Sequence, residues 1–299
     1  MELRGIFAPL TAPLALDGAI APARLRENIA RYNGAGLAGY VINGSTGESV
    51  LLQWEEVYRL WETAREAAAP GKLLVAGSGA EGTLETIGHT NRAAALGFDL
   101  ALVRTPHYFK PQMTIDALAE YYLRVADAAR IPVMVYSVPI FTHLTVEAPL
   151  VARLAQHPNI IGMKDSSGDV KGVAAIIAAA PRQFRTLVGS ASTLFESLQL
   201  GAVGAILALA NAFPDLCAEI FEASRAGDAA KAHSLAQKLI APAKMLGPQY
   251  GIPGLKYALD RLGYYGGPPR PPLLPLADAA RREIDAMIAG VLSQTTAAN

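Results

Sequence analysis

Lys164 closes an apolar run, NIIGMKDSS, that begins at Asn159. A lysine there belongs to a strand rather than to a surface helix. If its side chain turns into a closed barrel, its head group enters a partly desolvated interior. Burial disfavours an ammonium ion relative to the free amine, and a free amine attacks carbonyl carbon. The bland alternative is an interior lysine paired with an acid, for which Asp165 or Glu48 would serve. Lys72, Lys110, Lys171, Lys231, Lys238, Lys244 and Lys256 fall on helix-like or loop segments, where a solvated charge is the ordinary explanation.

Tyr136 ends the preceding apolar run, IPVMVYSVP, one strand before Lys164. A phenol beside a Schiff base can pass protons to and from the carbinolamine and the leaving alkoxide. Alone, it reads more readily as a core aromatic; its place on the strand next to Lys164 is what favours the chemical reading. GSTGE, from Gly44, lies where the second apolar run of the chain becomes a helix. Its two glycines permit a tight turn around Ser45 and Thr46 whose N–H groups would suit a carboxylate. It could also simply cap the following helix, QWEEVYRLWETAREAAA. It is not a P-loop, because no Gly-Lys-Ser/Thr ending follows.

Other motifs fall away. GSGAEG, Gly77 to Gly82, matches a dinucleotide fingerprint, but Asp99 begins the next strand instead of ending it, and the motif sits in a third repeat unit. The five histidines are scattered, with no ligand spacing and no G-x-S-x-G elbow, so neither a metal nor a hydrolase triad is expected. Lys plus Arg and Asp plus Glu are both 26, which gives no electrostatic reason for a nucleic acid or an anionic membrane as partner. One cysteine, Cys217, cannot form an internal disulfide, and a reducing compartment follows as the expectation. The N-terminal segment, broken by Pro9 and Pro13, reads as strand and loop rather than signal peptide. Gly201 to Phe213 is too short to span a bilayer, so the expected location is the cytoplasm.

These residues need elements to hold them. Apolar runs start at Gly5, Gly36, Lys72, Phe98, Ile131, Asn159, Phe184 and Gly201. They are continuous rather than alternating, as strands buried on both faces require. Between them apolar residues recur at helical spacing, as in Leu25, Ile29 and Tyr32, or Ile115, Leu118, Tyr122 and Val125. The pattern predicts a (β/α)8 TIM barrel over residues 1–227, followed by a helical C-terminal domain over 228–299. Within that domain PPRPPLLP, from Pro268, reads as a stiff, solvent-facing connector, and SQTTAAN as a frayed tail. A barrel of this kind carries its chemistry at the carboxyl ends of its strands. That directs attention to Thr11, Gly44 to Glu48, Gly77, Gly79, Thr105 to Tyr108, Tyr136, Lys164, Gly189, Ser190 and Ile206 to Asn211.

Together GSTGE, TPHYFKP, YSVP, GMKDSSGD and ALAN resemble the dihydrodipicolinate synthase / N-acetylneuraminate lyase family, over nearly the whole chain. The resemblance implies a class I aldolase or lyase that needs no metal or organic cofactor. By it, Lys164 is the Schiff-base lysine and Tyr136 the proton-transferring phenol. Ser45 and Thr46 hold the 2-oxo acid carboxylate beside Gly47, with Ser45 also in the proton relay. Tyr108 is lent across a tight interface, which implies a homo-oligomer, a dimer of dimers. Ile206 lines the site with its carbonyl, and Gly189 and Ser190 help select the second substrate.

Two departures bear on substrate. Synthase members carry an arginine at the position of Phe141, and sialic acid lyases an Asp-Glu pair where this chain has GSAS. YSVP, HPNIIGMKDSSGDV, LVGSAS, YGIPGLK and GYYGGPPRPPL are most similar to 4-hydroxy-2-oxoglutarate aldolases. The substrates expected are therefore a 2-oxo acid and an aldehyde; because Phe141 makes the distal pocket more apolar than a dicarboxylate prefers, an aromatic or aliphatic aldehyde stays open. The synthase, a sugar-acid dehydratase or hydratase-aldolase, and a catalytically silent barrel that binds a 2-oxo acid stand as alternatives.

Overall fold

A computed structural model describes residues 2–296; within the tail segment SQTTAAN, residues 297–299 lie outside the described residues. Eight parallel strands close into a barrel in chain order. They are β1 (Gly5–Pro9), β2 (Gly39–Ile42), β3 (Leu73–Gly77), β4 (Leu100–Arg104), β5 (Val133–Ser137), β6 (Ile160–Asp165), β7 (Arg185–Val188) and β8 (Gly204–Ile206). Every strand falls within one of the eight apolar runs.

The continuity of those runs has a direct cause. Alternate residues of each strand face opposite ways, and both ways are buried. Phe7, Val41, Val75, Leu100, Leu102, Met134, Leu187 and Ile206 fill the barrel interior. Their neighbours, such as Ile6, Tyr40 and Leu74, pack outward against helices. On the other side Ala101, Val103, Val133 and Val135 do the same.

The helices that follow the strands are Pro22–Tyr32, Trp54–Ala67, Thr83–Ala95, Ile115–Ala128, Ala148–Leu154, Val170–Ala179, Leu194–Gln199 and Pro214–Arg225. The Pro22–Tyr32 helix buries Leu25, Ile29 and Tyr32, as its spacing predicts. Ile115–Ala128 is started by Thr114, whose hydroxyl accepts from the Ala117 N–H at 3.2 Å. It buries Leu118, Tyr122 and Val125, but Ile115 is exposed. As the first helical residue, Ile115 projects beyond the end of the core that the other three reach.

Beyond the barrel lie helices Ala229–Gln237, Ile240–Lys244, Gly251–Arg261 and Asp278–Thr296. A wide turn over Met245–Gln249 separates the second from the third, because Gly247 leaves helical geometry and Pro248 cannot donate to the ladder. The proline-rich stretch is only partly solvent-facing. Its first residues are held at both ends: the Pro268 carbonyl accepts from Lys256 Nζ of the Gly251–Arg261 helix at 2.8 Å, and the Arg270 guanidinium pairs with Glu56 of the barrel helix Trp54–Ala67 at 2.6 Å. No helix among the described residues is long and apolar enough to cross a membrane.

Candidate active site

The register of the sheet decides which side chains meet. Arg104, Tyr136 and Lys164 are consecutive partners across β4, β5 and β6. Laterally paired residues of a parallel sheet point to the same face, and continuing the Leu100, Leu102 alternation turns all three inward at the carboxyl mouth.

Lys164 is 5% exposed. Its Nζ stands 4.3 Å from the centre of the Tyr136 ring. Neither acid considered as its partner is available to it. Asp165 points to the other face of β6 and accepts the Ser167 N–H at 3.0 Å, while burial pushes its carboxyl above the usual range. Glu48 is ion-paired to Lys256. Lys164 forms no ion pair among the described residues, so its charge would be stabilised only by the tyrosine ring.

Gly189 makes room for the lysine. A Cβ there would lie 2.9 Å from Lys164 Cε and collide with the Ser166 hydroxyl. The glycine that follows β7 is therefore required first by the Ser166 side chain and second by the reach of Lys164. Ser190 next to it bonds Ser192 at 2.9 Å. Ile206 is buried at the end of β8, inside the barrel.

The Tyr136 hydroxyl meets the Ser45 hydroxyl at 3.3 Å. Ser45, Thr46 and Gly47 form one 3-10 turn at the end of β2. The turn spends two of its N–H groups on itself: Gly47 donates to the Gly44 carbonyl at 2.9 Å and Glu48 to that of Ser45 at 3.1 Å. Only the Ser45 and Thr46 N–H groups stay available, a smaller anion cradle than the motif suggests. Nor does the turn cap the next helix, which begins at Trp54 and is started by its own pair, the Gln53 N–H donating to Glu56 at 3.0 Å.

What holds the turn is the C-terminal region. Glu48 sits at φ +59°, a left-handed conformation uncommon for a non-glycine residue. Its carboxylate is fully buried against Lys256, itself 1% exposed, and accepts the Arg270 N–H at 2.6 Å. Burial lowers the Lys256 pKa and the Glu48 charge opposes that shift. Lys256 is thus no solvated lysine. Lys72 is another exception, donating to the Ala35 and Leu37 carbonyls at 2.9 and 2.7 Å.

A cavity at the mouth is lined by Asn43, Gly44, Ser45, Ser49, Gly77, Gly79, Leu102, Arg104 and Tyr136. Lys164 stands beyond it, over the tyrosine ring. Gly77 and Gly79 owe their identity to backbone approach: side chains there would strike the backbones of Asn43 and Arg104. Asn43, at φ +68°, donates to the Gly77 carbonyl at 2.7 Å and leaves its own buried Oδ1 without a partner.

Tyr108 and Phe141 are not brought into the interior. Tyr108 is 79% exposed and packs edge-on against Phe109, their ring centres 5.2 Å apart. Phe141 is 60% exposed on the short helix Pro139–Thr142. Asn211 is structural, donating to the Pro9 carbonyl at 2.8 Å. Residues not singled out in the sequence are Asn43, Arg104 and Glu81. Alternation along LALVR, inward at 100, 102 and 104, is the signal that finds Arg104.

An eight-stranded barrel with a lysine, a phenol and a serine gathered at its mouth defines the class: this chain is an enzyme, a lyase of the class I aldolase type. It belongs to the Dihydrodipicolinate synthetase family, which it matches over residues 2–290. It is 36% identical over 287 residues to the 4-hydroxy-tetrahydrodipicolinate synthase of Acidiphilium cryptum, covering 96% of this chain and 98% of the relative. The enzyme of the same name from Neisseria gonorrhoeae is 33% identical over 286 residues, covering 96% and 98%. Among solved structures, the dihydrodipicolinate synthase of Acinetobacter baumannii complexed with pyruvate superposes with a TM-score of 0.93 at 30% identity, over 97% of this chain and 99% of that one. A prophage protein of the family from E. coli K12, in complex with pyruvate, gives 0.92 at 28%, over 97% and 99%.

Proposed function

We propose that the chain is a Schiff-base aldolase of 2-oxo acids, with pyruvate as product or donor and 4-hydroxy-2-oxoglutarate as the type of substrate cleaved. The observation that supports this is the enclosed Lys164, without an acid partner, on the same rung as Tyr136.

The free amine of Lys164 attacks the C2 ketone, and the oxygen leaves as water to give an iminium. The Tyr136 hydroxyl, linked to Ser45, supplies the proton for that departure and later removes the proton of the C4 hydroxyl. The C3–C4 bond breaks, its electrons pass into the iminium to form an enamine, and the aldehyde departs. Protonation at C3 and hydrolysis release pyruvate and restore the amine. Ser45 and Thr46, on the turn that includes Gly47, orient the C1 carboxylate. Ser190 and Phe141 flank the distal end, and the Ile206 carbonyl lines the floor. Tyr108 reaches into a second copy of the chain, in a dimer of dimers.

Borohydride reduction with pyruvate, followed by peptide mapping, tests this reading. One reduced pyruvate on the peptide holding Lys164 is expected, and none in Lys164→Ala. A folded protein that gains no adduct would overturn it.

A second reading is 4-hydroxy-tetrahydrodipicolinate synthase, the name its relatives carry. Here Phe141 stands at the position where synthases place an arginine, and its ring offers the acceptor's carboxylate no hydrogen bond. Condensation of pyruvate with aspartate semialdehyde, compared with cleavage of 4-hydroxy-2-oxoglutarate, separates the two.

A further inference from the structure

We infer that Arg104 is the residue that selects substrates bearing a second, distal carboxylate. This rests on the reading of Lys164 as the Schiff-base lysine. A substrate with a carboxylate at each end needs two anion contacts, and the turn at Ser45 and Thr46 supplies one. Phe141 cannot supply the other.

Arg104 is placed to do so. It is the last residue of β4, inward-facing, and shares the mouth cavity with Ser45 and Tyr136. Strands are about 4.8 Å apart, so two strand spacings put the Arg104 and Lys164 backbones roughly 10 Å from each other. Arg104 and Lys164 therefore flank Tyr136 from its two neighbouring strands, on the scale of a short 2-oxo dicarboxylate held at one end by each.

The guanidinium is anchored and yet has donors to spare. Nη1 pairs with Glu81 at 2.7 Å and lies 3.0 Å from His107 Nδ1. Its Nε and Nη2 bond no protein atom among the described residues. Glu81 is fixed in turn by the N–H groups of His107 and Tyr108, at 2.7 and 2.9 Å. Gly79 leaves the space that Arg104 occupies, since a Cβ there would stand 2.6 Å from the Arg104 N and 3.1 Å from its Cγ. A planar fork held on one side, with two unused donors on the other, suits a carboxylate and gives it a charge-assisted bond.

The test reads adduct formation rather than turnover. Borohydride trapping is titrated with pyruvate, with 2-oxoglutarate and with 2-oxopentanoate, which carries a methyl group in place of the distal carboxylate. The wild-type chain is expected to half-saturate at lower 2-oxoglutarate than 2-oxopentanoate. In Arg104→Met that preference should fall roughly 10- to 100-fold, the effect of losing one hydrogen bond to a charged group. The double variant Glu81→Gln/Arg104→Met, which leaves no unpaired carboxylate on the loop, should lose it equally. Arg104→Lys should retain part of it. A preference unchanged in both methionine variants, or absent from the wild type while pyruvate is trapped, overturns the inference. Failure of the wild type to trap pyruvate instead overturns the Schiff-base reading beneath it.

Discussion

Lys164 and Tyr136 are lateral partners on β6 and β5, and the amine lies over the face of the ring while the ring's hydroxyl reaches Ser45. One aromatic side chain thus touches the proposed nucleophile with its face and the proposed relay with its edge. Tyr136→Phe keeps the first contact and deletes the second. It is expected to lower kcat by about 10²- to 10⁴-fold, the usual loss with a general acid–base. Steady-state kinetics would show this, and a kcat within a few-fold of wild type would remove Tyr136 from the proton path.

Function at Lys164 should come at the expense of stability. A buried ammonium or amine without an acid partner is unfavourable, and active sites commonly carry such strain. Lys164→Met fills the same space without the polar head. Inactivity together with a melting temperature raised by about 2–4 °C is expected, corresponding to roughly 1 kcal/mol in a large domain. A lowered melting temperature would show that the lysine contributes to the fold.

The buried pair of Glu48 and Lys256 behaves in the opposite way. Removing one partner strands the other's charge, so Glu48→Gln or Lys256→Met should each destabilise by about 3–5 kcal/mol. The double variant should recover much of that loss. Urea denaturation of the four proteins gives the coupling directly; additive losses would mean that the two groups act independently.

Glu81 provides a pH-dependent contact. Burial alone would raise its pKa, but bonds from Arg104 and the N–H groups of Tyr108 and His107 outweigh it and hold the carboxyl below the usual glutamate range. The folded form therefore binds this proton less readily than the unfolded form. Its contribution is intact above about pH 4.3, the ordinary value, and is lost as pH falls through the lowered one. Hydrogen exchange at the His107 and Tyr108 amides, corrected for intrinsic rate, should accelerate over that acid range in wild type. In Glu81→Gln it should be fast already and insensitive to pH there.

The strands were legible because a segment buried on both faces must be apolar throughout, and that pattern needs no partner to be seen. Lys164 stood out for the same reason, as a charge ending such a run. Arg104 did not, because an arginine before Thr105 and Pro106 looks like the start of a loop until the alternation from Leu100 is followed. The Glu48–Lys256 pair was invisible for a different reason. Nothing local marks either residue as buried, and only the return of the C-terminal helices to the barrel brings them together. Ile115 is exposed at a helix end, because periodicity says which face a residue shares but not where the core stops.

Glu48 and Lys256 also constrain how this sequence can drift. Neither touches substrate in the proposed chemistry, yet exchange of either alone leaves an unpaired charge under the turn that presents Ser45 and Thr46. A single exchange at either position is therefore costlier than a joint one. A redesign of the mouth for a new substrate starts best from a chain that keeps both residues or replaces both, because the C-terminal helices underpin the turn at the catalytic face.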